Sequence, residues 1–193
     1  MTVTLRGPLL ALAACAALAA SGCTTTDSTR AKSLKTGGAP ATAMSDCQHV
    51  TISRFAMPAR AKDGSVGAEF ANGIQARLAS DFGPLFESVE IGEQARGLPH
   101  ECLVRGVITK YKPGSRVARA ILIGLGAASL EGNVTVTDAA SGGVLLTAPF
   151  DKLWAWGGIV GASKGMKDMV AETSASVAAT VAHAKGWNAP AAN

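Results

Sequence analysis

The first 22 residues set the earliest constraint on what this chain can fold into, because they have the layout of an export signal. A short leader whose only charge is Arg6 precedes an apolar stretch from Leu9 to Ala20. That stretch is shorter than the roughly 20 residues that a membrane-spanning helix needs. We therefore predict that residues 1–22 are a cleaved signal peptide and take no part in the folded domain.

The end of this segment predicts a lipid anchor. The run Leu18-Ala19-Ala20-Ser21-Gly22-Cys23 resembles the lipobox of bacterial lipoproteins, in which the cysteine is acylated and becomes the mature N-terminus. The alternatives are an ordinary signal peptide with a chance cysteine near the cut and an uncleaved transmembrane helix. By resemblance to enterobacterial sorting, Thr24 in place of aspartate favours the outer over the inner membrane. Burial of each acyl methylene contributes about 0.8 kcal/mol, so several chains would make the attachment effectively permanent.

Composition divides the remaining chain into a tether, a domain and a tail. Residues 23–45 are Thr, Ser, Ala, Gly and Lys with almost nothing large and apolar, which predicts a lipidated flexible tether. A random coil of that length spans about 26 Å on average. Residues 46–187 are predicted to form a single domain and residues 188–193 a disordered tail. Removing the signal from the 193 residues leaves 171, enough for one domain with a substantial core.

Charge and residue counts argue against several classes of partner. The signal carries one of the 18 basic residues, so 17 basic and 14 acidic side chains remain, too small an excess to indicate nucleic-acid binding. Three histidines are few for a metal site. We expect no catalytic, cofactor-binding or metal-binding residues.

Hydrophobic periodicity predicts an α+β fold. The order strand, helix, four strands, helix favours a mostly antiparallel sheet with two helices packed on one face. Ser65 and Ser163 are the predicted helix N-caps, and the turn chemistry of residues 138–143 predicts an antiparallel hairpin. The predicted strands cover residues 48–55, 86–91, 103–111, 130–137 and 144–150, and the predicted helices cover 65–82 and 163–185.

Two cysteines remain once Cys15 leaves with the signal and Cys23 takes up lipid. Cys47 and Cys102 each begin a strand-like segment in a chain bound for an oxidising compartment, which favours a disulfide. A parallel arrangement of the first and third strands would bring both to the same end of the sheet. The alternative is two separate buried thiols, because free cysteine packs as a small apolar group.

A G-x-S-x-G pattern at Gly161–Gly165 raises the possibility of a serine hydrolase with Ser163 as nucleophile. The acids and the histidine that follow, Asp168, Glu172 and His183, all lie on one predicted helix. No further strand comes after them to build the hydrolase sheet, so a helix cap explains Ser163 without catalysis.

A basic run without acidic residues lies between Glu101 and Glu131 and contains Arg116 and Arg119. The simpler interpretation is a solvated charged edge. The alternative is contact of Arg116 and Arg119 with anionic lipid headgroups, aided by the apolar residues 120–125 just beyond.

An ordered set of motifs resembles the lipoprotein family called domain of unknown function 4410. The resemblance covers roughly residues 48–184, and it implies an α/β envelope domain while supplying no activity and no catalytic residues. It rests on Tyr111–Ser115, Arg119, Gly124–Ala127, Val134–Gly142 and the glycine-rich run before the last helix.

Together these observations predict a lipoprotein of the bacterial outer membrane whose domain faces the periplasm. We expect it to act by binding, as an accessory or structural component without enzymatic activity, with another envelope protein as partner. The alternatives are a subunit of an envelope transport or secretion complex and, with less support, a hydrolase using Ser163.

Overall fold

The computed structural model describes residues 44–59, 61, 64–115, 117–118, 126–154 and 165–188. Within these ranges the chain forms five strands and two helices, which confirms the α+β class. The elements are β1 His49–Ile52, α1 Val66–Asp81, β2 Ser88–Ile91, β3 Glu101–Lys112, β4 Ala128–Asp138, β5 Val144–Trp154 and α2 Met166–Ala184.

The strands form one mixed sheet in the order β2-β1-β3-β4-β5. β1 pairs in parallel with both β2 and β3. The three longest strands, β3, β4 and β5, pair antiparallel, as predicted. Parallel strands require a crossover connection, and α1 provides it between β1 and β2.

The core lies between the sheet and the two helices. Apolar residues at alternate strand positions, such as Val104, Ile108 and Val136, point toward the helices and are fully buried. The Phe70 ring lies between those of Phe55 and Phe150, with centroid distances of 4.8 and 5.0 Å. Gly106 in β3 is required by this packing, because a Cβ there would lie 2.1 Å from the Phe55 ring.

The helix boundaries bear out the position of one predicted cap and correct the other. Ser65 occupies the N-cap position of α1, but its side chain makes no capping hydrogen bond. The N-cap of α2 is Gly165, so the prediction that Ser163 caps this helix is wrong. Asp168 supplies the acceptor instead, because its carboxylate takes a hydrogen bond of 2.6 Å from the Gly165 N–H, and its charge is favourable near a helix N-terminus.

The hairpin turn between β4 and β5 forms as its sequence predicts. The Asp138 carboxylate accepts hydrogen bonds from the Ser141 hydroxyl at 2.6 Å and the Ser141 N–H at 2.7 Å. The Ser141 hydroxyl, followed by that N–H, holds the pKa of Asp138 below its usual value. Gly142 has φ of +70°, a conformation that favours glycine.

Neither helix of the described ranges combines the length and the apolar character needed to cross a bilayer.

Candidate functional site

The described chain begins at one end of the sheet, which we call the proximal end, where β1, β2 and β3 start. Met44 is buried there, and Lys185, just beyond α2, donates a hydrogen bond of 2.8 Å from Nζ to the Ser45 carbonyl. Burial lowers the pKa of Lys185, while the charges of Asp46 and Glu87 act in the opposite direction. These contacts tie the start of the domain to the last helix.

A disulfide joins Cys47 and Cys102 at the same end, with their Cα atoms 5.6 Å apart. Cys47 lies two residues before β1 and Cys102 is the second residue of β3. Because these strands are parallel and His49 is in register with Glu101, both cysteines lie at the proximal end of the sheet. The structure therefore confirms the predicted disulfide between Cys47 and Cys102.

Beside the disulfide, the Glu101 carboxylate lies completely buried under the loop between β2 and β3. It accepts hydrogen bonds from the Thr51 hydroxyl at 2.6 Å and from the backbone N–H groups of Arg96, Gly97 and Leu98 at 3.0, 2.9 and 3.2 Å. The loop thus folds around one ionised side chain. This clamp satisfies a buried charge that would otherwise strongly destabilise the fold.

Two opposing effects set the pKa of Glu101. Burial raises it, but the hydrogen bonds from the Arg96 N–H, the Thr51 hydroxyl and the Leu98 and Gly97 N–H groups together outweigh burial and lower the pKa to about 2. The group therefore stays ionised at neutral pH. Glu101 cannot act as a general acid there, and its role is to hold the loop.

A second polar network covers this clamp. The Ser88 hydroxyl lies 2.9 Å from His49 Nδ1 and accepts a hydrogen bond of 2.8 Å from Arg96 Nη2. His49 Nε2 lies 3.5 Å from the Glu87 carboxylate, and Arg96 Nη1 lies 2.6 Å from that of Glu90.

Serine, histidine and an acid in contact form the arrangement of an activated nucleophile. Here, however, the Ser88 hydroxyl oxygen already accepts a hydrogen bond from the Arg96 guanidinium. Arg96 Nε also lies 3.5 Å from the Glu101 carboxylate. We infer that the network stabilises the β2–β3 loop in one conformation. The sequence analysis did not identify this cluster, because its members are far apart along the chain and match no motif. The one indication of this cluster in the sequence was Glu101, an acidic residue at the start of the buried strand β3.

The surface of β3, β4 and β5 that faces away from the helices forms what we call the open face. Within the described ranges it exposes Val107 and Leu153, which are 39% and 65% accessible. Strand register arranges the open face in rows across the three strands. One row is Val107, Asn133 and Pro149, and another is Lys110, Glu131 and Asp151.

The outer strand β5 is protected against pairing with another strand. Pro149 lies in the middle of β5 and removes one backbone donor. On the other outer strand, the Gln75 side chain of α1 donates a hydrogen bond of 3.1 Å to the Val89 carbonyl, which ties α1 to β2.

Several predicted site residues, namely Cys23, Arg116, Arg119 and Ser163, lie outside the described residues. Lys110 of the basic run is in β3 and pairs with Glu131. Lys112, at the end of β3, lies about 36 Å along the strand from Glu101 at the proximal end. In the described part of the chain, no group of three or more His, Cys, Asp or Glu side chains is placed to hold a metal ion.

Comparison with protein families identifies the chain. The profile of the domain of unknown function DUF4410 matches residues 32–158, more than half of the sequence. The chain is a member of the DUF4410 family. This confirms the resemblance carried by the glycine-rich and Asp-Ala-Ala-Ser-Gly segments. No protein of curated function matches this DUF4410 member significantly.

Solved structures share the fold of this DUF4410 domain. A PelC dodecamer from Paraburkholderia phytofirmans is 13% identical with a TM-score of 0.54, covering 77% of this chain and 95% of PelC. A variant of that PelC, also a dodecamer, gives a TM-score of 0.51 at 13% identity, covering 70% and 87% of the two chains. A hypothetical protein from Chlamydia trachomatis is 16% identical with a TM-score of 0.47, covering 72% of this chain and 99% of its own. At 13% identity the likeness to PelC extends to the fold alone.

Proposed function

We propose that this DUF4410 member is a lipid-anchored protein of the bacterial envelope whose domain faces the periplasm and acts by binding other proteins. In this proposal Cys23 carries the lipid in the outer membrane, and residues 24–43 form the tether, because Met44 and Ser45 already belong to the domain. The domain is a structural component without catalytic activity. The export signal and the lipobox-like run before Cys23 support the location.

The bracing of the proximal end is the observation that carries the proposal. The first described residues are held by the Lys185 contact and the Cys47–Cys102 disulfide, and the neighbouring loop is held by Glu101. The polar groups of this cluster contact one another, which suits a scaffold better than a reactive centre. A domain that is firmly held at the end of its tether can transmit force between a lipid anchor and a partner.

A second candidate function is a subunit of a multimeric envelope complex for transport or secretion. The specific observation in its favour is the fold similarity to PelC, which was solved as a dodecamer and is covered over 95% of its length. Chemical cross-linking in membranes followed by purification of this protein tests both candidates. Higher-order bands made of this chain alone favour self-assembly, bands containing another envelope protein favour an accessory role, and recovery of monomer alone contradicts both.

The hydrolase using Ser163 is less well supported. The residue follows the G-x-S-x-G pattern, but Asp168 takes part in the N-terminal cap of α2 and His183 lies on the last turn of the same helix. Their separation along one helix does not favour their meeting at a single reactive serine.

Replacing Cys23 with Ser is expected to abolish acylation and release the domain into the soluble fraction. The physical reason is that the acyl chains supply the membrane affinity. Incorporation of labelled palmitate and fractionation of cells measure the two effects. A Cys15→Ser variant is the matched control, because Cys15 leaves with the signal. Palmitate incorporated into the Cys23→Ser protein would refute the lipobox assignment.

Arg116 and Arg119 are proposed contacts for anionic lipid headgroups. Changing both to Glu is expected to weaken binding of the non-acylated domain to anionic vesicles by roughly thirty-fold or more, since each basic residue near such a surface contributes about 1 kcal/mol. Added salt should weaken the wild type similarly. Arg77→Glu with Asp81→Arg, which keeps the net charge and lies on α1, is the control. Equal wild-type binding to anionic and neutral vesicles would leave the run as a solvated edge.

A further inference from the structure

We propose that the open face is the docking surface for a second copy of this chain, with the two sheets stacked face to face about a two-fold axis parallel to the strands. The inference rests on the proposed role in a multimeric assembly and names the surface that such an assembly would use. In this arrangement the register of the open face brings Val107 over Pro149 and Lys110 over Asp151.

The register of the sheet defines how two copies would meet. β4 lies between β3 and β5, and residues in one row are direct neighbours across the strands. A two-fold axis that runs along β4 places β3 of one copy above β5 of the other and keeps each row opposite the same row. Sheets stack in this aligned manner in β-sandwiches, about 10 Å apart.

The central row brings apolar and amide groups together. It consists of Val107, Asn133 and Pro149, all exposed. Under the two-fold, Val107 of each copy lies over Pro149 of the other, and both are apolar. The two Asn133 side chains meet near the axis, and an amide can both donate to and accept from its equivalent.

The neighbouring row supplies opposite charges in the same arrangement. Lys110, Glu131 and Asp151 lie side by side, and Lys110 Nζ already pairs with Glu131. The two-fold places Lys110 of each copy opposite Asp151 of the other, so this contact is made twice. It also brings the two Glu131 carboxylates together near the axis, where each is paired with Lys110 of its own copy.

Side-by-side pairing of the sheets is disfavoured by the edges themselves. Pro149 interrupts the donors of β5. The β2 side also exposes Glu87 and Glu90, which would approach Asp151 on the β5 side of a neighbour. Like charges brought together in this way oppose the contact.

The size of the open face predicts a contact that depends on the membrane. Three strands of 11 to 12 residues cover at most roughly 500 Å², and Leu103 and Ser129 on the same face are already buried within the chain. The open face is therefore smaller than the about 800 Å² per partner of a standard interface. Such a contact is weak between free molecules. Two copies held in one bilayer by lipid anchors have a much higher effective concentration, which compensates for the small area.

Cross-linking through Asn133 tests the geometry directly. In the full acylated chain, Cys47 and Cys102 are joined and Cys23 carries lipid, so Asn133→Cys provides a single thiol. A bis-maleimide with a spacer of about 10 Å, the separation of stacked sheets, should yield dimers of this variant in membranes. Ala76→Cys, exposed on α1 on the opposite side of the domain, is the matched control and should yield few.

Charge reversal tests the pairing of Lys110 with Asp151. In the Asn133→Cys background, Asp151→Lys should reduce dimer formation roughly tenfold, because two ion pairs of up to about 1 kcal/mol each become repulsive. Adding Lys110→Asp should restore it, since the charges are then exchanged. Glu69→Lys, a reversal of the same sign on α1, should leave the dimer yield unchanged.

Two outcomes would overturn the assignment: equal cross-linking of the Asn133 and Ala76 variants, or a yield that Asp151→Lys does not change. An amine-reactive cross-linker applied to wild-type membranes separates this failure from that of the proposed function. Oligomers in that experiment would mean that self-association uses another surface. Their absence, together with loss of the Asn133 product, would contradict self-association as well.

Discussion

Loss of the Cys47–Cys102 disulfide is expected to lower the free energy of unfolding by about 4 kcal/mol. The bond closes a loop between residues separated by 55 positions, and in the chain-entropy model a loop of this length greatly restricts the unfolded chain. Small domains are stable by roughly 5 to 15 kcal/mol. The bond therefore supplies a large share of the stability, and the reduced domain should be marginally folded.

Urea unfolding followed by tryptophan fluorescence, with and without reductant, measures this effect. The wild type should unfold at a much lower urea concentration when reduced. The double variant Cys47→Ala and Cys102→Ala should be as unstable as the reduced wild type and should not respond to reductant. A wild-type midpoint that reductant leaves unchanged would show that the bond contributes little.

Replacing Glu101 with Gln is expected to cost about 3 kcal/mol, because hydrogen bonds to a buried charge are strong and a buried group left unpaired is costly. The carboxylate accepts three backbone N–H groups and the Thr51 hydroxyl. The amide of glutamine presents its own donors and cannot accept from all of them. The β2–β3 loop should open first, which hydrogen exchange at Arg96, Gly97 and Leu98 would report.

The same carboxylate makes stability depend on pH in a defined direction. Its pKa is about 2 in the folded protein against a usual value of 4.5. The folded state therefore gains from its ionisation above pH 4.5 and loses that gain as the pH falls toward 2. The difference in unfolding free energy between wild type and Glu101→Gln should accordingly shrink over this interval.

Two further variants control for changes unrelated to the clamp. Thr51→Val removes a single donor and should cost about 1 kcal/mol. Glu93→Gln changes an exposed acid of the same loop and should change stability by less than about 0.5 kcal/mol. A Glu101→Gln protein as stable as the Glu93→Gln protein would contradict the role assigned to the clamp.

Local chemistry accounts for the predictions that the structure confirms. Apolar alternation placed β3, β4 and β5, since side chains of a strand alternate between a buried and an exposed face. The turn after β4 followed from Asp138, Ser141 and Gly142, whose side-chain acceptor, donors and positive φ are all local properties. Membership of the DUF4410 family followed from the order of such segments.

The start of α2 at Gly165 instead of Ser163 depends on more than the local sequence. Ser163 has the residue type of an N-cap, but the helix begins after Gly165, whose own N–H donates to the Asp168 carboxylate three residues later. Competing caps two residues apart differ little in local energy. Packing of Met169, Val170 and Val177 against the sheet decides where the helix begins.

The sequence by itself determined the strand and helix types and the choice of Cys47 and Cys102 as candidates for a bond, and it predicts the export signal. These features depend on composition and on neighbours along the chain. Only the tertiary structure decided that β1 is parallel to β3, that Glu101 is clamped by Thr51 and the backbone of residues 96–98, and that Lys110 and Asp151 share a row on the open face. These features join residues that are tens of positions apart. Their energies arise from burial and register, which exist only once the chain has folded.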